Sequence, residues 1–401
     1  MRHITRRGLV IAATALTATP TSLRAQPKGV TATEIKLGQT QPYSGPASAY
    51  GAVGRAEVAF FQMVNEQGGI NGRKINLISL DDGYNPAKTV EMTRRLVESD
   101  EVLAIFASLG TAPNSAIVKY LQQKGVPNLF ISSGASKWGN HVEYPLAMAA
   151  PPSYRIEGTI YCRYILAQKP DAKIAILWQN DDLGKDYIAG LKDALGTSYE
   201  KMVVSSVSYE VTDATIDTQA VIMKGSGADV LVTAATPKFA AQIIRKAYDI
   251  NWKPMHFLTN VAISVSAVMV PAGAEKGIGI MTAAYFKDPN DPTWKDDAGM
   301  KEFRAFMAKY MPSSDVGDAA YLTGFGWAYM MRQALKQCGD DLSRENLMRQ
   351  AANIKDLEVP VWLPGIKVNT SPTQHNPITQ VQLQRWTGTT WELFGKLISA
   401  A

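Results

Sequence analysis

The stretch IKLGQTQPYSGPASAYG, residues 35–51, decides how the chain reads. Ile35–Gln39 is a short apolar run of the kind found in buried strands. Tyr50–Glu66 repeats apolar residues at helical spacing, with Val53, Ala56, Phe60 and Val64 on one face. A Pro-, Ser- and Gly-rich loop joins the two. A strand that runs through such a loop into an amphipathic helix is the repeating unit of a parallel sheet covered by helices.

The unit recurs on both sides of this stretch. GGINGR (68–73) reads as a turn and Ile75–Leu80 as the next strand, and Pro86 starts a helix where its missing N–H costs nothing. Val102–Phe106 and Val126–Ile131 read as strands around a helix over Asn114–Lys124. After Pro151-Pro152 a second round begins. Its helix is expected over Gly158–Gln168. Its strands are expected over Ile174–Trp178, Met202–Val207, Asp229–Thr233, Met255–Leu258 and Gly277–Ala283, separated by helices near 186–195, 216–224 and 237–248. Two long helices follow, Ala298–Met311 and Ala319–Gln337, with a shorter capped one after Ser343 and a hairpin over Ile378–Trp386 and Thr390–Phe394. No low-complexity linker separates the two rounds, so several rigid crossings are expected between two α/β lobes.

Three loops leave a strand's carboxyl end and enter a helix: residues 41–51, SLGTAPN (108–114) and SSGASK (132–137). Each alone is ordinary turn chemistry. Three in one half, at the sheet edge where open parallel sheets bind ligands, point to a small-molecule site. Helix N-termini there offer N–H groups to a carboxylate, and Thr111, Ser133 and Ser136 add hydroxyls.

Composition limits the alternatives. The 401 residues include 46% apolar and 19% charged residues and carry a formal charge of +5. That is an ordinary globular balance at a length of about two or three domains. Residues 1–25 hold Arg2, Arg6, Arg7 and Arg24, no acid, and a short apolar stretch from Gly8 to Leu16. This is the layout of a secretory signal peptide, with Thr5–Leu9 also resembling a twin-arginine signal. Taking those four from 41 basic residues leaves 37 against 36 acidic ones. The excess charge therefore belongs to export, and attraction to nucleic acid loses its support. The uncharged run 257–274 contains Asn260, Pro271 and Gly273 and reads as strand, turn and buried helix instead of a membrane span.

Catalytic and metal motifs are missing. The chain beyond residue 25 holds three histidines, His141, His256 and His375, with no HExxH, CxxC, GxSxG, P-loop or GxGxxG pattern. Neither a cofactor nor a metal is expected. Cys162 and Cys338 sit in apolar helical contexts and read either as buried free thiols or as an export-permitted disulfide.

The loop motifs, together with GGINGRKI (68–75), DDGYNPAKTV (81–90), VPNLFISSGAS (126–136), DDLGKDY (181–187) and GSGADVLV (225–232), resemble branched-chain amino-acid-type periplasmic binding proteins, the type I solute receptors of ABC importers. The resemblance spans nearly the whole chain after residue 25. It implies two Rossmann-like lobes with parallel sheets joined by a three-crossover hinge, near Pro151, near Ala284 and between Pro360 and Pro377. A first lobe is then expected over 28–150 plus 285–360, and a second over 151–284 plus 361–401. It also implies a monomeric, non-enzymatic receptor in the periplasm. Such a receptor captures a small carboxylate-bearing ligand by lobe closure and passes it to an inner-membrane ABC permease. A ligand-sensing module on the same fold is the alternative.

Position by position, the resemblance implies that Tyr50 packs on the ligand's apolar part. Thr111, beside Leu109 and Gly110, receives the carboxylate. Ser133, Gly134, Ala135 and Ser136 hold its polar ends, and Tyr154, Thr236 and Asn260 close from the second lobe. Receptors of this kind for amino acids hold the ammonium with acids, one of which aligns at Tyr154 and another at Asn260 or Val261. Neither position is acidic here. An aromatic or keto acid without an α-amine is therefore the expected ligand, with a branched-chain amino acid as the alternative.

Overall fold

The computed structural model describes residues 28–399, so the expected export signal lies outside the described residues. The first sheet has five parallel strands in the order β2-β1-β3-β4-β5. These are β1 (Glu34–Gln41), β2 (Lys74–Asp81), β3 (Ala104–Phe106), β4 (Asn128–Ile131) and β5 (Ala147–Ala149). Helices α1 (Gly51–Glu66), α2 (Pro86–Arg94) and α3 (Thr111–Gln123) connect its first four strands. The strand β5 went unrecognised in the sequence, because it is only three residues long and lies between Pro145 and Pro151.

The second lobe starts with α4 (Tyr154–Gln168), four residues earlier than expected. Its sheet has seven strands in the order β12-β11-β10-β9-β8-β6-β7. They are β6 (Ile174–Gln179), β7 (Val203–Tyr209), β8 (Val230–Ala234), β9 (Met255–Leu258), β10 (Met281–Ala284), β11 (Gln380–Trp386) and β12 (Trp391–Ser399). The helices between are α5 (Asp182–Leu195), the single turn α6 (Tyr199–Met202), α7 (Asp217–Gly225), α8 (Pro237–Asp249) and the short α9 (Val270–Ala272). Strands β6 to β10 pair in parallel, and the hairpin β11–β12 adds antiparallel to β10. The sequence between 259 and 277 is not one buried helix but a chain of tight turns around α9. The hairpin braces it: the Trp391 indole donates to Ile263 O at 2.9 Å and that of Trp386 to Ala274 O at 2.8 Å.

The chain passes between the sheets three times, and segment 361–363 runs beside the second passage. Lys287 N donates to Val361 O at 3.0 Å and Leu363 N to Tyr285 O at 3.0 Å. The intervening helices α10 (Ala298–Tyr310), α11 (Ala319–Gln337) and α12 (Arg344–Ala351) belong with the first lobe. Helix α11 packs tightly on α1, since a Cβ at Gly324 would stand 2.3 Å from Val53 O. Residues 361–376, expected in the second lobe, stay with the first. Val368 pairs with Leu357, and the His375 ring bonds Ala147 O in β5 at 2.8 Å. The return to the second sheet therefore comes just before β11.

Both cysteines are free and buried. Burial pushes the thiols up, Cys162 to about 11 and Cys338 to about 12. Among the described residues no helix is long and apolar enough to cross a membrane.

Candidate functional site

A cavity lies between the lobes, where the carboxyl ends of both sheets face each other. The first lobe lines it with Ala49, Tyr50 and Val53 at the start of α1, and with Tyr84. Leu109, Gly110 and Thr111 at the start of α3 and Ser132 complete that part of the wall. Gly110 has φ +109°, and a Cβ there would meet the Tyr84 ring at 2.7 Å, so the turn into α3 needs glycine. The first turn of α3 leaves the N–H groups of Thr111 and Ala112 without an intrahelical acceptor. Together with the helix dipole they favour an anion. The Thr111 hydroxyl is fixed by Ser133 Oγ at 2.7 Å.

The second lobe contributes Tyr154 at the start of α4, Leu183, Thr236 and Pro237 at the start of α8, and Asn260, Val261, Ile263, Ser264 and Ala267. Tyr50, Leu109, Gly110, Thr111, Tyr154, Thr236 and Asn260 are therefore brought together around one space. The loop 133–136 is placed differently, and none of its four residues lines the cavity. Ser133 Oγ serves Thr111 and the Trp138 indole. Gly134 lies under Tyr154, whose N–H donates to Gly134 O at 2.8 Å. Ala135 packs in an apolar cluster with Trp138 and Tyr144. Ser136 gives both its N–H and its hydroxyl to Asp186 on α5, at 2.6 and 2.7 Å. The alternation Ser-Ser-Gly-Ala-Ser looked like ligand chemistry. It holds Thr111 and Tyr154 from behind and ties the lobes together.

Several residues at the site had no sequence signal of their own. One face of α11 runs along the cavity, presenting Asp318, Ala319, Ala320, Thr323 and Trp327, with Tyr285 and Phe286 from the second passage beside it. Asp318 caps α11: its Oδ1 accepts from Ala320 N at 3.0 Å and from Ser264 Oγ, across the cavity, at 2.9 Å. Its Oδ2 makes no hydrogen bond among the described residues. The helix boundary at Ala319 was readable, and an aspartate just before it is an expected cap. Nothing in sequence said that the cap faces the other lobe.

Burial dominates the electrostatics. The hydroxyls of Tyr50, Tyr84, Tyr154 and Tyr285 are held well above the ordinary tyrosine range by desolvation. Behind Asn260 lies Glu157, 1% exposed, whose Oε1 accepts from Asn260 N at 2.8 Å and whose Oε2 accepts from Asn260 Nδ2 at 2.5 Å. Burial raises its pKa to about 7, against the opposing pull of the Tyr161, Tyr187 and Asn260 hydrogen bonds. Asp318 is likewise raised by burial. No lysine or arginine lines the cavity. Direct bonds already span the lobes: Tyr50 OH to Val261 O at 3.0 Å and Lys137 Nζ to Asp182 Oδ2 at 2.6 Å. Among the described residues no group of three or more His, Cys, Asp or Glu is placed to hold a metal ion.

A family model for periplasmic binding proteins matches residues 34–390. A Leu/Ile/Val-binding protein homologue from Brucella abortus is 26% identical over 320 residues, covering 78% of this chain and 81% of its own length. A branched-chain amino acid ABC transporter protein from Thermus thermophilus, solved with bound valine, superposes with TM-score 0.81 at 16% identity, covering 92% of this chain and 97% of its own. A solute-binding protein from R. palustris in complex with benzoate superposes with TM-score 0.76 at 20% identity, covering 92% and 96%. The relatives are binding proteins and not enzymes, and their family is periplasmic. With its two lobes and the cavity between them, the chain belongs to the periplasmic binding protein family and has the type I fold of the ABC-transporter solute receptors.

Proposed function

We propose that the protein is the solute receptor of an ABC importer and captures a small zwitterionic amino acid by lobe closure. The ligand carboxylate docks on the N-terminal turn of α3, at Thr111 and the N–H groups beside it. The second lobe then closes through Tyr154, Thr236 and Asn260. Water leaves, and the hydrogen bonds inside strengthen. The closed monomer presents itself to an inner-membrane permease.

The observation that carries the amine is Asp318. The expectation of an amine-free acid rested on the absence of acids at Tyr154 and at 260–261. Asp318 reaches the same cavity from the first lobe with one oxygen unoccupied, and no lysine or arginine lines the cavity to neutralise a bare carboxylate ligand. A second anion beside it would go unpaired, whereas an ammonium would be paired.

Calorimetric titration with a panel of L-amino acids and their 2-oxo counterparts tests this. The expected result is at least one amino acid binding with its 2-oxo counterpart weaker by about 100-fold or more, the scale of a lost buried charge pair. Binding of the oxo or aromatic acids with no amino acid binding overturns the reading.

A further inference from the structure

Behind the cavity, four groups converge on the hydroxyl of Ser133, and their chemistry decides where its proton goes. Ser133 is fully buried. Its Oγ accepts from the Trp138 indole N–H at 3.1 Å and from Ala135 N at 3.3 Å. An indole N–H and a backbone N–H can only donate, and a serine hydroxyl has two lone pairs and one proton. The acceptor capacity of Ser133 is therefore spent. The other two neighbours are hydroxyls: Thr111 Oγ1 at 2.7 Å, and that of Tyr154 beside it.

A bond between two hydroxyls has in general no fixed sense, but here it has one. Neither Thr111 nor Tyr154 finds a free lone pair on Ser133, so neither can donate to it. Ser133 instead gives its own proton across the 2.7 Å contact to Thr111. Thr111 and Tyr154 both line the cavity, one from each lobe. Among the described residues neither hydroxyl makes a hydrogen bond to a protein acceptor, so both protons remain for whatever fills the space. The first turn of α3 adds the N–H groups of Thr111 and Ala112. This corner of the cavity thus presents two hydroxyls and two N–H groups, all in the donor sense.

We propose that Ser133 and Trp138 are positioning residues that commit Thr111 and Tyr154 to donate, and that they thereby restrict this corner to a head group with acceptors only, a carboxylate. A carboxamide of the same shape has to turn its NH2 group toward one of these donors, which leaves buried N–H or O–H groups unpaired. Trp138 lies outside the cavity lining and acts by filling one lone pair of Ser133. With that lone pair vacated, Thr111 can turn its proton onto Ser133 and show the ligand a lone pair instead. The inference deepens the proposed function and rests on it for the carboxylate at Thr111, whereas the ammonium at Asp318 plays no part in it.

The test is calorimetric titration of L-amino acids, 2-oxo acids and aromatic acids, each beside its primary amide. The unmodified protein is expected to bind its best acid about 100-fold or more tighter than the matching amide. Trp138→Phe keeps a ring in the apolar cluster with Ala135 and Tyr144 and removes the indole donor. Ser133→Ala removes the relay itself. Each variant is expected to narrow the acid-to-amide ratio by about 10-fold, chiefly by weakening the acid. A purely structural loosening weakens acid and amide alike and leaves the ratio unchanged, so a ratio that survives both variants overturns the inference. Equal affinity for acid and amide on the unmodified protein overturns it too, and that comparison needs neither variant to fold. If no acid binds, the carboxylate reading falls and this inference with it. If only amine-free acids bind, the Asp318 reading falls alone, and the acid-to-amide ratio of those acids still decides this one.

Discussion

The first lobe's wall of the cavity is made of helix starts and one helix face, whereas the second lobe's wall is largely the irregular segment 259–267. The difference extends to what each wall offers. On the first lobe, Thr111 and Asp318 line the cavity at the starts of α3 and α11, held by regular structure. On the second, Asn260 is fixed by Glu157, and Val261 and Ser264 spend their polar atoms on Tyr50 and Asp318. In the proposed scheme one wall recognises while the other latches. A receptor that docks ligand on one lobe and closes with the other needs that asymmetry, because closure has to remain reversible.

If this division holds, changes beneath the second wall affect stability and closure more than ligand choice. The largest effect is expected from Glu157, which sits under Asn260. Its folded pKa, about 7, lies above the ordinary glutamate value, so between pH 4.5 and 7 the folded state holds the proton more tightly than the unfolded chain. Stability is therefore greatest below that window and falls as pH rises through it, by about 3 kcal/mol for this group. Glu157→Gln is expected to flatten the fall in Tm between pH 5 and 7, measured by thermal denaturation. A slope as steep as the parent's contradicts the assignment.

A smaller effect is expected at the ion pair that joins the lobes. Lys137 reaches from the first lobe to Asp182 on α5, with side-chain exposures of 24% and 41%. Solvent screening limits such a pair to about 0.5–1 kcal/mol. Lys137→Ala should weaken every ligand by the same few-fold factor, since it changes closure alone, and high salt should mimic it. A change in ligand ranking would place Lys137 in recognition and break the comparison.

The sequence revealed the first wall's backbone and little of the second's. The run 35–51 carried its strand, loop and helix in the alternation of apolar and small residues, and β9 and α11 fell where periodicity put them. Resemblance then supplied Tyr50, Thr111 and Tyr154. The loop 133–136 was misleading because Ser and Gly suit both a ligand and a tight support, and only the neighbouring Trp138, Tyr154 and Asp186 decide between them. Asp318, Tyr285 and Trp327 stayed hidden because they come from chain that returns to the first lobe after crossing the second. Their closeness to Thr111 is a property of topology, which no local pattern records.

The central claim is that Asp318 pairs with an ammonium on the ligand. Titrating Asp318→Asn with the tightest-binding L-amino acid and with its 2-oxo counterpart tests it most directly. The amino acid is expected to lose about 100-fold in affinity, while the 2-oxo acid is unchanged or gains. Equal losses for both ligands, or no loss for the amino acid, would contradict it.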